Sequence, residues 1–169
     1  VNNAVDPQTG IPVVSLYGKH NTPTAAELSD VDVMVYDIQD VGTRFYTYIS
    51  SMQRFMEAAA RNHKPLIILD RPDPNGDYVD GPVLEPAYHS GVGMQPIPIV
   101  YGMTIGEYAR MLIGEHWLSD STLRPDLPVS PCAHYTHDSL YTLPVRPSPN
   151  LPDMASVYLY PSLCLFEGT

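Results

Sequence analysis

Residues 31–70 read VDVMVYDIQDVGTRFYTYISSMQRFMEAAARNHKPLIILD, in the order of a strand, a helix and a second strand. Residues 31–38 are apolar enough for a strand buried on both faces, as in a parallel sheet. Apolar residues then recur from Phe45 to Ala59 at the spacing of one helix face. Pro65 ends that helix, and residues 66–69 form another apolar strand. The segment therefore predicts a βαβ unit with two parallel strands.

The remaining sequence predicts further elements of the same kind. Two Thr-x-x-Glu capping boxes, beginning at Thr24 and Thr104, each predict the start of a helix, and the box explains Glu107 without a catalytic role. Residues 155–166 fit either a helix or an extended segment. Further strands are predicted at residues 12–17, 97–101 and 127–133. The predicted fold class is α/β, a Rossmann-like and mostly parallel sheet with flanking helices.

Composition excludes several classes of protein. The 169 residues are 44% hydrophobic and 17% charged, which suits a folded domain rather than a disordered chain. The net charge is −10 and the nine Lys and Arg residues do not cluster, which argues against nucleic-acid binding. Apolar runs are too short for membrane insertion. The two cysteines, Cys132 and Cys164, form no metal motif, and two buried thiols are favoured over a disulfide.

The domain organisation follows from the eighteen prolines, which concentrate in residues 71–98 and 125–161. Proline-rich segments of this length predict ordered loops, which usually serve function. We expect residues 1–124 to form the Rossmann-like domain, with its first strands upstream of Val1. Residues 125–169 are expected to begin a second, smaller α/β domain, so that the chain is an internal piece of a larger protein.

Acidic residues follow both strands of the βαβ unit. Asp37 and Asp40 follow the first strand and Asp70 the second, so neighbouring parallel strands would bring them to one sugar-sized crevice. Two carboxyl groups facing one cleft are what glycoside hydrolysis requires. Structural alternatives stay open, because Asp40 also suits a helix cap. Asp37 and Asp70 equally suit ion pairs with Arg44 or Arg71.

Other chemistry-bearing residues give weaker signals. On the predicted helix Tyr48 joins the apolar face, whereas Tyr46 is freer to stack on a sugar ring. His134 and His137 lie among prolines, where a loop does not bring them together as metal ligands. The sequence contains no Gly-x-Gly-x-x-Gly, Walker A or Gly-x-Ser-x-Gly motif. We therefore predict no metal and no nucleotide cofactor.

Residues 37–48, Asp-Ile-Gln-Asp-Val-Gly-Thr-Arg-Phe-Tyr-Thr-Tyr, resemble the signature of the exo-β-N-acetylmuramidase family, long catalogued as a domain of unknown function. Five more segments resemble segments of that family in the same order, namely residues 69–72, 80–83, 101–107, 148–152 and 164–169. The resemblance covers nearly the whole chain. It implies a Rossmann-like domain plus a smaller α/β domain, with the active site in the cleft between them.

The resemblance also implies a function. Such enzymes remove terminal N-acetylmuramic acid from the non-reducing end of peptidoglycan fragments, need no metal or organic cofactor, and are exported, which implies a periplasmic or secreted location. By position, the resemblance implies catalytic roles for Asp37 and Asp40. It implies substrate-binding or supporting roles for Arg44, Tyr46, Asp70, Arg71, Asn150 and Glu167, with an arginine, Arg44 or Arg71, on the lactyl carboxylate.

The chain departs from the family pattern in three respects. A Glu-His-Gly segment, whose Glu is a candidate general acid, is expected before Val1, and a glycine-rich stretch is expected after Thr169. Position 73 is Asp, where the family more often has Asn. Two other functions stay open: a cell-wall glycan-binding module that does not cleave, and a hydrolase or transferase that acts on another anionic sugar.

Overall fold

The computed structural model describes residues 3–17, 20–163 and 166. Within these residues five short strands and three α-helices are present. The strands are β1 (Ala4–Val5), β2 (Pro12–Val13), β3 (Met34–Tyr36), β4 (Leu66–Leu69) and β5 (Val129–Ser130). The helices are α1 (Tyr48–Arg61), α2 (Ile105–Gly114) and α3 (Met154–Leu163).

The central sheet has the order β3-β4-β5, and both pairs of neighbours are parallel. Met34 lies opposite Leu66, and Ile68 lies opposite Val129. Helix α1 connects β3 to β4, so the predicted βαβ unit and the α/β fold class are confirmed. Strands β1 and β2 form a separate antiparallel pair near the start of the chain.

The main core lies on one face of the central sheet. Met34 and Tyr36 of β3 are buried there with Leu66 and Ile68 of β4, and the apolar faces of α1 and α2 complete the same cluster. Val35, which points the other way along β3, is 49% exposed. The prediction of burial on both faces was therefore wrong for the described residues, because both helices pack on the same side.

Two predicted elements are not regular. Residues 97–101 form only isolated bridges, from Val100 to Thr43 and to Asp80, so the predicted strand is wrong. Pro98 has no amide proton to donate, which prevents a continuous ladder. At Thr24 both predicted capping contacts with Glu27 are present, but the segment that follows consists of turns. Of the segment predicted as either a helix or an extended chain, residues 155–163 are helical, within α3.

Residues beyond 124 pack against the earlier part of the chain in two places. Strand β5 extends the central sheet beside β4. Leu151 and Val157 form a second hydrophobic cluster with Val41 and Tyr46, which we call the minor core. The domain boundary near residue 124 stays a prediction. None of the helices in the described residues is long and apolar enough to span a bilayer.

The capping box at α2 is confirmed. The Thr104 hydroxyl accepts a hydrogen bond from the Glu107 amide at 3.3 Å, and a Glu107 carboxylate oxygen accepts one from the Thr104 amide at 2.9 Å. The same hydroxyl donates to Oδ2 of Asp70 at 2.7 Å. One side chain thus joins the start of α2 to the loop after β4.

Thr104→Val is expected to lower the free energy of unfolding by about 1–2 kcal/mol, because valine keeps the shape but loses the cap and the bond to Asp70. Urea denaturation measures the loss. Thr142→Val, at an exposed position, is the matched control and should change stability little. Equal stability of the two variants would contradict the structural role given to Thr104.

Candidate active site

A cavity of about 310 Å³ opens at the carboxyl ends of β3 and β4, and we call it the rim cavity. Its volume is at the lower end of the roughly 300–1,000 Å³ that is typical of small-molecule sites. Ligands of open α/β sheets bind beyond this edge of the sheet. The lining residues are Asp37, Ile38, Gln39, Tyr48, Arg71, Pro144, Val145, Arg146 and Pro147.

An ion pair lies in the wall of the rim cavity. Nε and Nη2 of Arg71 are each 2.7 Å from Oδ1 of Asp37, and both side chains are partly exposed. The parallel register of β3 and β4 produces this contact, because both residues follow the carboxyl end of a strand. Asp37 comes directly after β3, and Arg71 lies two positions beyond the end of β4. A guanidinium has five N–H donors, and Asp37 occupies two, so Arg71 retains donors for a ligand.

Asp40 and Asp70 do not line the rim cavity, so the expected meeting of three carboxylates in one crevice is wrong. Asp70 is held at the start of α2, where its carboxylate also accepts a hydrogen bond from the Gly106 amide at 2.9 Å. Asp40 is only 6% exposed. It does not cap α1, whose N-cap residue is Thr47. Chemical roles for Asp37 and Asp40 stay predictions.

The two tyrosines before and at the start of α1 both contact the minor core. Tyr46 is 9% exposed, belongs to the minor core and donates its hydroxyl to the Pro147 carbonyl at 2.8 Å. Tyr48 is half-buried: it packs against the minor core and also lines the rim cavity. The expectation that Tyr46 is the freer ring was wrong because α1 begins at Tyr48, so Tyr46 does not follow the helical spacing.

The other predicted binding residues lie elsewhere. Nη1 of Arg44 donates to the carbonyl oxygens of Pro82 and Ile97, at 2.9 and 2.6 Å, which ties two loops together. Asn150 is exposed in a turn outside the rim cavity. Glu167 lies outside the described residues. Binding roles for these three residues stay predictions.

Two acids, Asp40 and Asp73, are buried on either side of Gly42, and we call them the buried acid pair. Both carboxyl groups meet Gly42: Oδ2 of Asp40 accepts from the Gly42 amide at 2.9 Å, and a Cβ on Gly42 would lie 2.3 Å from Oδ1 of Asp73. Oδ2 of Asp40 also accepts from the Tyr101 hydroxyl, and Oδ1 of Asp73 from the Asn75 amide at 2.9 Å. Within the described residues, Oδ1 of Asp40 and Oδ2 of Asp73 accept no hydrogen bond.

Burial changes the protonation of this pair. It raises the pKa of Asp40 to about 6, partly offset by the hydrogen bonds from Tyr101 and Gly42. Burial, together with the negative charge of Asp40, raises the pKa of Asp73 to about 8. Two carboxyl groups in one apolar place do not both ionise readily. At neutral pH the pair therefore keeps a proton, mainly on Asp73.

Comparison with known proteins settles the family. The family described as exo-beta-N-acetylmuramidase NamZ, N-terminal, matches residues 1–155. The chain belongs to the NamZ family. The peptidoglycan beta-N-acetylmuramidase NamZ of Bacillus subtilis strain 168 is 47% identical over 174 residues, which cover 100% of this chain and 41% of that protein.

Two crystal structures of DUF1343 family proteins from Bacteroides fragilis NCTC 9343 have the same fold. One is 55% identical with a TM-score of 0.91, covering 98% of this chain and 45% of the other. The second is 43% identical with a TM-score of 0.90, covering 97% and 43% respectively. The chain thus spans less than half the length of the NamZ-family relatives that it matches.

Three residues at or near the site of this NamZ-family chain escaped sequence reasoning. The helical spacing of Tyr48 predicts the apolar face and does not indicate that this residue also lines the rim cavity. Arg146 lines the rim cavity from the segment Leu-Pro-Val-Arg-Pro-Ser-Pro. The chain has only nine Lys and Arg residues, and an arginine between prolines is the sequence feature that could have indicated a binding residue here. Asp73 stands where the family resemblance leads us to expect asparagine, and no local pattern predicts that it is buried.

Across residues 3–17, 20–163 and 166, no group of three His, Cys, Asp or Glu side chains is placed to hold an ion. His137 instead contacts the Gly76 carbonyl at 2.8 Å and Glu107 at 3.1 Å, and both contacts raise its pKa. A further cavity of about 290 Å³, at Thr47, Ser51 and Arg54, contains none of the predicted site residues.

Proposed function

We propose that this protein is a glycoside hydrolase that removes terminal N-acetylmuramic acid from the non-reducing end of peptidoglycan fragments. Membership of the NamZ family supports the reaction class. The observation in the structure that carries the proposal is the Asp37–Arg71 ion pair in the wall of the rim cavity. It offers an acid for the chemistry and a cation for the lactyl carboxylate in one small-molecule site.

Each partner of the ion pair has a defined task in this proposal. Asp37 steadies the positive charge that develops on the sugar ring, or activates the attacking water, as the second carboxylate of a glycosidase does. Arg71 directs its remaining donors to the lactyl carboxylate, because planar guanidinium and carboxylate groups match in geometry. Tyr48 supplies an aromatic ring for the sugar's apolar face.

Asp37→Asn is expected to reduce the release of free N-acetylmuramic acid by roughly 100–10,000-fold, because asparagine keeps the shape but removes the negative charge. The assay uses a disaccharide with N-acetylmuramic acid at its non-reducing end. Asp32→Asn is the matched control, at an exposed position before the sheet. Circular dichroism of both variants tests that the fold is intact.

Three outcomes would overturn parts of the proposal. Unchanged turnover in Asp37→Asn would remove this residue from the reaction. Saturable binding of the disaccharide without any product would favour a glycan-binding module. Equal turnover of a substrate without the lactyl group would favour a hydrolase for a different sugar. A periplasmic or secreted location is part of the proposal, and fractionation of the native cells tests it.

A further inference from the structure

The far wall of the rim cavity is a short proline-bounded segment, residues 144–147. Prolines fix the backbone angle at both of its ends. The Tyr46 hydroxyl holds the last of these residues, because it donates to the Pro147 carbonyl at 2.8 Å. Arg146 therefore projects from a backbone that is anchored to the minor core, although the arginine side chain itself is exposed.

The rim cavity has an unbalanced positive charge. Asp37 and Arg71 neutralise each other, and Arg146 is the additional cation among the lining residues. None of the ion pairs or hydrogen bonds found within the described part of the chain involves the Arg146 side chain. The protein as a whole has a net charge of −10, whereas the residues that line the rim cavity have a net charge of one positive unit. Such a site favours a ligand with one negative charge.

We propose that Arg146 is a specificity-determining residue that binds the carboxylate of the sugar and so selects acidic over neutral ligands. This inference rests on the proposed function for the identity of the sugar, N-acetylmuramic acid. Arg44 is a poorer candidate, because its guanidinium is engaged with the carbonyl oxygens of Pro82 and Ile97. Arg71 and Arg146 would contact the same anion from two parts of the chain.

The test compares two ligands that differ in charge and by one methyl group, and the substitution of Arg146 separates the two effects. Isothermal titration measures the dissociation constants of N-acetylmuramic acid and of its neutral methyl ester. The unsubstituted protein is expected to prefer the acid by roughly 10–100-fold, as for a charge-assisted hydrogen bond. Arg146→Gln should reduce that preference to less than about 3-fold, through weaker binding of the acid, with the ester unaffected. Arg146→Lys should restore part of it.

Arg110→Gln is the control for the general loss of positive charge. Arg110 is exposed on α2, outside the rim cavity, and its substitution should leave the preference unchanged. A full preference in Arg146→Gln, an equal loss in Arg110→Gln, or no preference in the unsubstituted protein would each overturn the inference. Failure to cleave the disaccharide would count against the proposed function alone, since the ligand preference is measured without turnover.

Discussion

Gly42→Ala is expected to lower the free energy of unfolding by about 4 kcal/mol. Gly42 has a φ of +75°, a conformation that costs a side-chain-bearing residue roughly 1–2 kcal/mol. A Cβ would also lie 2.3 Å from Oδ1 of Asp73 and 2.8 Å from its Cγ. Overpacking of this kind adds about 1–3 kcal/mol. Asp73 is buried and bonded to the Asn75 amide, so its carboxyl group has little room to move.

Gly10→Ala is the matched control for the clash. Gly10 has nearly the same φ, +72°, but a Cβ there would meet nothing within 4 Å. Its substitution should therefore show the backbone cost alone. Urea denaturation of both variants separates the two contributions. Equal losses of stability would show that the contact between Gly42 and Asp73 does not constrain the fold.

Asp73→Asn is expected to raise the free energy of unfolding at pH 8 by up to about 5 kcal/mol, since one pKa unit corresponds to about 1.4 kcal/mol and the native pKa lies about four units above the ordinary value. The native pKa of about 8 lies above the ordinary value of 3.8. The folded protein therefore binds this proton more tightly than the unfolded chain, and stability falls as the pH rises from about 4 to about 8. Asparagine, the residue that the family resemblance leads us to expect here, is neutral throughout.

The pH profile of stability gives the sharper test. Between about pH 6 and pH 8 the slope should become clearly shallower in Asp73→Asn, and the slope that remains belongs to His137, whose contacts with Gly76 and Glu107 raise its pKa. Below about pH 6 a slope should persist, because burial raises the pKa of Asp40 to about 6 as well. Asp138→Asn, at an exposed position, should keep the slope of the unsubstituted protein. An unchanged profile in Asp73→Asn would contradict the raised pKa.

The βαβ unit could be predicted because its signals are local. The apolar run at Leu66–Leu69 matches β4 residue for residue. The start of α1 could not be located in the same way, since the apolar spacing continues upstream of the first helical residue. The spacing of about 100° per residue applies only within the helix, so it does not predict the direction of a side chain that precedes the first helical residue. The prediction for Tyr46 was wrong for this reason.

The candidate site likewise contains some contacts that the sequence predicts and others that it does not. The contact between Asp37 and Arg71 follows from two neighbouring parallel strands, whose order the sequence indicates. Arg146 and the buried acid pair depend on loops that meet across the chain. Asp73, for example, lies in a loop whose backbone also accepts a hydrogen bond from the Tyr135 hydroxyl at 3.1 Å. Contacts of this range leave no periodic pattern in the sequence.

The bond from the Tyr46 hydroxyl to the Pro147 carbonyl joins positions that are 101 residues apart. It fixes one side of the rim cavity to the minor core. A ligand that contacts both sides of the rim cavity would hold the early and the late parts of the polypeptide together. Ligand binding and the attachment of this side of the cavity to the minor core are then thermodynamically linked, because each favours the other. Substitutions in the minor core are therefore expected to change the affinity for the ligand.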